Sequence, residues 1–511
     1  MRALLNSMML CLLFAGLADR STAAEANTPA APGERIVPTE WQPLHDRWQS
    51  AMQELKVPGL AVIAVKGDQV VLLDTLGVCD PQSKQAVTPC SPFYLASVTK
   101  SFTALGVAIL AEEGKLKLDE PVKTYLPRFT LADQELAKKM TVRDLLTHRY
   151  GLDSSPISMS EAYFGNITDD RYYALLALVK PQGKFSYSNL HYTLAGRIIQ
   201  AASGKPWQDF LAERVFAPLE MRDSTCYASK LYANPLAAWP IVEGKGAWKL
   251  APLVKNDHVM HAAGGMGASA ADLTRWLRFQ LSGQTPSGKR LVSPQLLAEI
   301  HKQQVVSGEP EEDPPGVVRT GYSLGWFTGT LHGQEFLNHG GGYVGTSTIV
   351  SFLPQQKLGV AVLMNESSPN ADFPLVVAAD VYAKLLDQPL PDMLPEVRAA
   401  AQRSRERMAQ RVELPWQAPT SGGNLSQPVE KYAGTYRSAF WGDLHASVAD
   451  GKLTAQVGEL PLRLHALDKD KIRLEVTPGT VTVGAFRLEG DRVVGLVVKT
   501  PDGDAELKKV Q

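Results

Sequence analysis

The sequence lacks most of what would serve a metal ion, a nucleic acid or a membrane span. Four cysteines in 511 residues are too few for a disulfide scaffold, and none stands with histidines at a metal-ligand spacing. His332 and His339 are seven apart, with Gly333 and Gly340 beside them rather than a second ligand pair, so no metal is expected. An excess of one charge is also missing. The 52 Lys and Arg residues balance 53 Asp and Glu to a net −1, and the signs are interspersed. That excludes a basic nucleic-acid face or an acidic tail as an organising feature. No P-loop or dinucleotide fingerprint occurs, and no cofactor is expected. The glycine-rich run His261-Ala262-Ala263-Gly264-Gly265-Met266-Gly267 fits neither pattern and reads as a close backbone crossing that lines a cleft. The early apolar run, Met8 to Ala15, falls well short of the ~20 residues that span a bilayer.

That short run follows Arg2 and precedes Ser21-Thr22-Ala23-Ala24, the pattern of a secretory signal peptide cut after Ala24. The expectation is a periplasmic or secreted protein with no transmembrane segment once the leader is removed. In such an oxidising compartment Cys79 and Cys90, which flank the turn-like Asp80-Pro81-Gln82-Ser83-Lys84, are placed for a local disulfide. Cys226 is then left as a packed thiol.

A chain of this length exceeds one core. Four stretches are expected: a signal peptide at 1–24, a catalytic domain at 36–388, a linker at 389–427 and a small all-β barrel at 428–511. The linker holds several prolines, Thr420-Ser421-Gly422-Gly423-Asn424 and a charged helical patch from Val397 to Val412. In the first domain, Gly59–Val65 and Val70–Leu76 read as a hairpin, and Thr348–Leu353 and Leu358–Met364 as a second one. Joined in one antiparallel sheet and covered by helices, with a helical subdomain, they give an α+β architecture. Residues 152–180 are mixed and aromatic and read as a loop-and-helix cover over a cleft. Beyond Pro428, short strands separated by turns such as Asp450-Gly451 predict an up-and-down barrel or sandwich.

The chemistry-bearing stretch is Ser97-Val98-Thr99-Lys100, at the head of an apolar helical run from Phe102 to Leu110. Positions i and i+3 share a helix face, and a lysine in a poorly hydrated pocket can take a proton from a serine. Alone, the pattern equally describes an N-cap and a surface lysine. Two further groups follow in order: Tyr187-Ser188-Asn189 ahead of a helix, and His339-Gly340-Gly341-Gly342 within a strand.

Taken together, S-x-x-K, Y-x-N and H-G-G resemble the serine β-lactamase and penicillin-binding-protein superfamily, in its class C β-lactamase, D-peptidase and esterase branch. Leu145-Leu146-Thr147-His148 with Gly151-Leu152, Pro218-Leu219-Glu220-Met221, and Gly264-Gly265 before a helix resemble that branch as well. The likeness covers roughly residues 40 to 388 and implies the fold above. It makes Ser97 the acylated nucleophile and Lys100 its base. Tyr187 would exchange protons with nucleophile and leaving group, its phenol pKa lowered by the nearby cation. Asn189 would bind Lys100 and the substrate amide, and the third motif, with Gly341, would line the substrate. The oxyanion would sit between the backbone N–H groups of Ser97 and Gly342. The departure is His339, where many relatives carry a lysine. A histidine supplies charge only near or below its pKa of ~6.5, which points away from β-lactams and toward D-amino-acid peptides, amides or small esters. Arg149-Tyr150 also departs from the smaller polar residues usual there. The C-terminal unit resembles lipocalin-like barrels appended to some members, a route to a homo-oligomer. The runner-up readings are a β-lactamase and a penicillin-binding sensor that does not turn over.

Overall fold

The structure is a computed structural model that describes residues 34–243, 247–312, 316–389, 391–413, 425–439, 441–477, 480–500 and 503–510. The expected leader, with Cys11, therefore lies outside the described residues. So does Thr420-Ser421-Gly422-Gly423-Asn424.

An eight-stranded antiparallel sheet organises the first unit. Across it the strands run Gln69–Gly77, Gly59–Lys66, Leu358–Met364, Thr346–Leu353, Gln334–Tyr343, Phe327–Leu331, Val317–Tyr322 and Val305–Glu312. The N-terminal hairpin therefore closes on the far end of the domain, with Val62 opposite Val362 and Ile63 opposite Ala361. Both central strands are buried on both faces, so their apolar residues run without polar alternation. The period of two still sorts them. Ala61, Ile63 and Val65 join the core that holds the Ser97 helix. Leu60, Val62 and Ala64 face Trp48 and Met52 of the helix Gln42–Leu55, and Val376 and Val377 of the helix Phe373–Leu386.

The Ser97 helix, Thr99–Glu112, is buried from Thr99 to Leu110. Phe102 stacks on Trp276 at 3.7 Å between ring centroids and meets Phe216 edge-on. Each fully buried large apolar side chain contributes about 1.5–3 kcal/mol, which makes this helix a rigid mount for whatever its first turn carries.

The segment expected as a linker is structured in part. A helix, Leu394–Glu413, lays Leu394, Val397 and Ala401 on the outer face of the sheet, and Arg405 reaches Glu243 and the carbonyl of Leu55. Its charge pattern reads as linker because only one narrow stripe is apolar. The C-terminal unit is a closed barrel of eight strands, each paired with its sequence neighbour and the last with the first through Tyr436 and Lys509.

The expected Cys79–Cys90 disulfide is absent: both are free thiols, as is the buried Cys226. The Cys79 thiol turns instead to Ser91 Oγ at 3.3 Å and the carbonyl of Leu236 at 3.4 Å. Among the described residues no helix is long and apolar enough to cross a membrane.

Candidate active site

Ser97 sits on a tight turn, Ala96–Val98, that leads into the helix. Ala96 adopts a left-handed φ of 48°, which costs a residue with a Cβ about 1–2 kcal/mol. The turn is held against that cost. Pro92–Tyr94 pairs with Gly267–Ser269, Leu95 N–H donates to Met266 O, and Thr99 Oγ1 donates to Ala96 O at 2.7 Å. Ser97 stays partly exposed while Leu95, Ala96, Val98, Thr99 and Lys100 are buried. Its N–H lies at a helix start, where no intrahelical acceptor exists.

Lys100 is fully buried. Its Nζ lies 3.0 Å from Ser97 Oγ, 2.8 Å from Asn189 Oδ1 and 2.7 Å from Ala263 O, and 4.7 Å above the Tyr187 ring. Burial pushes its pKa well below the ordinary lysine value. A neutral amine has two N–H donors and one lone pair. In that form the two oxygens that can only accept would take the donors, and the lone pair would face the Ser97 hydroxyl, to which the charged amine donates. The shell thus fits a free-base lysine poised to receive a proton.

Tyr187 and Asn189 straddle Ser188, the N-cap of the helix Asn189–Ser203, whose hydroxyl accepts from Leu190 N–H. The cap aims Asn189 at Lys100 and the Tyr187 phenol at Ser97. Tyr187 keeps 36% of its surface exposed, yet the hydroxyl end is the part that contacts Ser97. Desolvation raises its pKa and the Ser97 contact lowers it less. The expected lowering by a neighbouring cation is not seen: desolvation outweighs the Ser97 contact, and the phenol is held above its ordinary pKa.

Under this loop lie two buried histidines. Leu152 N–H donates to His191 Nε2 at 3.1 Å and Ser188 N–H to His148 Nδ1 at 3.3 Å. Both nitrogens are therefore acceptors, so the 2.9 Å contact between the two Nδ1 atoms places its proton on His191. Burial lowers the pKa of both histidines, that of His191 to about 3. This neutral pair fixes the backbone that presents Tyr187, whose ring centroid lies 4.7 Å from that of His148.

The opposite wall is the strand Gln334–Tyr343. Alternate residues share a strand face, so His339, Gly341 and Tyr343 lie on one face. At Gly341 a Cβ would collide with the carbonyl of Leu95. Only glycine lets this strand approach the Ser97 turn so closely, and it brings Gly342 beside it. Nothing lies within 4 Å of where a Cβ of Gly342 would stand.

His339 corrects the expectation of a pH-dependent charge. It is buried, with Nδ1 donating to Gly340 O at 2.7 Å and Nε2 3.1 Å from the Tyr322 hydroxyl. Desolvation holds its pKa at about 3. It is a neutral, fully partnered spacer that presents no cation to substrate.

The geometry thus brings together Ser97, Lys100, Tyr187 and Asn189, with Gly341 and Gly342 beside them. Among known proteins, the family model described as beta-lactamase matches residues 44–383. The chain belongs to the β-lactamase family. Within it the chain is 29% identical over 368 residues to penicillin-binding protein 4 of Amycolatopsis lactamdurans, covering 70% of this chain and 93% of that one. It is 27% identical over 326 residues to protein flp of Staphylococcus aureus, covering 62% of this chain and 61% of flp, and so spans about three-fifths of that relative. Solved structures with a similar fold include the octameric penicillin-binding protein homologue from Pyrococcus abyssi, with TM-score 0.57, 22% identity, and 92% of this chain and 100% of that one covered. Another is the D-amino acid amidase from Ochrobactrum anthropi SV3, with TM-score 0.55, 24% identity, and 68% and 98% covered.

Several parts of this family site carry no side-chain signature. The Ala263 carbonyl, which completes the lysine shell, comes from the glycine-rich run, where the sequence shows only a crossing. Ala96 gives no hint of its left-handed turn. Tyr322, which fixes His339, stands 17 residues before it and outside the three motifs.

Proposed function

We propose that this chain is a periplasmic or secreted serine hydrolase that works through an acyl-enzyme on Ser97. The observation that carries the reading is the shell of Lys100: a buried amine with two carbonyl acceptors and one hydroxyl, that of Ser97. Lys100 takes the Ser97 proton as Oγ attacks the substrate carbonyl. The oxyanion forms between the N–H groups of Ser97 and Gly342, a donor pair in which each member typically contributes ~10²–10³ in rate. Tyr187, still protonated, gives its proton to the leaving nitrogen or oxygen and is reprotonated by Lys100. Water then attacks the ester by the reverse route.

A neutral His339 argues against a substrate anchored by a carboxylate at that position. The favoured substrates are amides or peptides of D-amino acids and small esters. The penicillin-binding relative and the fold of the D-amino acid amidase fit this class. The catalytic unit is read as 36–388 extended by the docked helix Leu394–Glu413, with the barrel at 428–511. The barrel is a route to a homo-oligomer, in keeping with the octameric neighbour; light scattering that found only monomer would contradict it.

The test is a panel of a D-alanyl peptide, a D-amino-acid amide, a nitrophenyl ester of a short acid and a β-lactam, with intact-protein mass spectrometry and Ser97→Ala as control. The expected result is turnover of the amide or ester, a burst of first product and an adduct on Ser97 alone. Rapid β-lactam turnover with the others inert would overturn the substrate ranking. A stoichiometric adduct that never clears would favour the sensor reading. Full activity in Ser97→Ala would remove the mechanism.

A further inference from the structure

A second lysine is buried beside the end of the strand that carries Gly342. Lys255 Nζ donates to Ala162 O at 2.6 Å and to Val259 O at 3.3 Å. It lies 4.2 Å above the Tyr343 ring and 5.3 Å above the Tyr163 ring, and those two rings stack at 5.7 Å and 25°. Tyr343 is the residue after Gly342 and shares its strand face with Gly341 and His339. Among the described residues Lys255 has no hydroxyl partner and no hydrogen bond to a member of the Ser97 cluster, so it is not placed as a second base.

What it joins is informative. Tyr163 belongs to the turn Ser160–Phe164 of the cover segment. The next residue, Phe164, is buried in the core of the C-terminal barrel beside Trp441, with ring centroids 6.0 Å apart. Its carbonyl accepts from Glu459 N–H at 2.8 Å. A Cβ on Gly458, whose φ is +55°, would strike that same carbonyl, so the barrel turn is shaped to sit there. A continuous path runs from barrel to Phe164, Tyr163, Lys255, Tyr343 and the strand that carries Gly342.

We propose that Lys255 is a positioning residue for acyl transfer: it ties the barrel-held cover segment to Tyr343 and so sets the place of the neighbouring Gly342 N–H. This rests on the acyl-enzyme reading of Ser97. The barrel would then act on the rate through the cover segment, without supplying a group to the cleft.

The groups around Lys255 separate its titration from others. Desolvation lowers its pKa to about 7. Burial pushes Tyr163 and Tyr343, with Tyr94 and Tyr232 near them, up, and pushes the neighbouring His261 down, away from the Lys255 titration. On the cover segment Glu161 also has a pKa of about 7, but it faces Arg197. His258 and Glu459 form an exposed pair farther out.

The experiment compares kcat, KM and the pH profile of kcat for the wild type, Lys255→Met, Lys255→Arg, Glu161→Gln and Trp441→Ala, with Ser97→Ala as the blank and thermal unfolding to confirm folding. For Lys255→Met, kcat should fall roughly 10–100-fold, the scale of a small displacement at a reacting centre, with KM little changed. Lys255→Arg, which keeps donors and charge, should recover part of the loss. In the wild type kcat should fall about threefold or more between pH 6 and 8 as the desolvated cation over the rings is lost. That limb should vanish in Lys255→Met and persist in Glu161→Gln. Trp441→Ala should lower kcat while keeping the limb. Wild-type kcat and profile in a folded Lys255→Met, or a limb removed by Glu161→Gln and not by Lys255→Met, would overturn the proposal while leaving Ser97 in place. Activity in Ser97→Ala would instead fail the reading beneath it.

Discussion

Lys100 and Lys255 are both buried, both lose their ordinary basicity to desolvation, and both lie over tyrosine rings. They differ in their oxygen partners. Lys100 has two carbonyl oxygens and a hydroxyl. The two oxygens on Lys255 are both backbone carbonyls, which can only accept. A lowered pKa therefore marks both, yet in the proposed mechanism only Lys100 serves as a base: the lone pair needs an acidic proton in front of it.

The comparison can be broken at four places. The largest effect belongs to Lys100→Met, which removes the base and leaves the Ser97 turn intact. Acylation, followed as burst of a nitrophenyl ester, should fall roughly 10²–10⁴-fold, well beyond the loss at Lys255→Met. Equal losses at the two lysines would erase the distinction drawn between them.

Asn189→Ala comes next. It removes one of the two acceptors that leave the lone pair of Lys100 free for Ser97. Losing one buried hydrogen bond to such a group costs about 1–3 kcal/mol, so both the acylation rate and the thermal unfolding temperature should fall.

His339 offers a sharper test of charge. Because its pKa is held at about 3, no step in kcat between pH 5 and 8 should belong to it, and His339→Asn should keep the wild-type profile. A profile step lost in that variant would restore the charged-histidine view. The same burial has a stability consequence. With His339 and His191 held near 3 when folded and at ~6.5 when unfolded, the stability they contribute is complete above pH 6.5. It is lost as pH falls toward 3. Thermal unfolding across that window should show a decline, shallower in His339→Asn.

The smallest effect is expected at Cys90. As a free thiol, its replacement by serine should change unfolding free energy by less than about 0.5 kcal/mol. A native disulfide would cost about 2–5 kcal/mol to remove, a difference that denaturant unfolding resolves.

How far the sequence disclosed this site follows from where the information sits. The proposed roles of Ser97, Lys100, Tyr187 and Asn189 rest on side chains in short local patterns, and the structure brings those side chains together. The two hairpins near residues 60 and 360 announce themselves by apolar, β-branched runs, and they pair in one sheet as expected. Three things stayed hidden because they are not local. The protonation states of Lys100, Tyr187 and His339 depend on desolvation by segments far away in the chain. The Ala263 carbonyl is a main-chain group that any residue could supply. The helix Leu394–Glu413 docks through Leu394, Val397 and Ala401 alone, too thin a stripe to distinguish from a charged linker. The thiol of Cys79 looked paired by spacing, yet Ser91 and the carbonyl of Leu236 claim it.

The central claim is that Lys100 rests as a free base facing Ser97. The most direct measurement is the rate constant for Ser97 acylation by a nitrophenyl ester, followed by stopped flow from pH 5 to 10. In the Lys255→Met background, where the separate fall between pH 6 and 8 is removed, the account predicts a rate that levels off well before the ~10.4 of an ordinary lysine. Lys100→Met should abolish that plateau. An acylation rate that keeps climbing in step with hydroxide through pH 10 would show a charged lysine at rest and contradict the account.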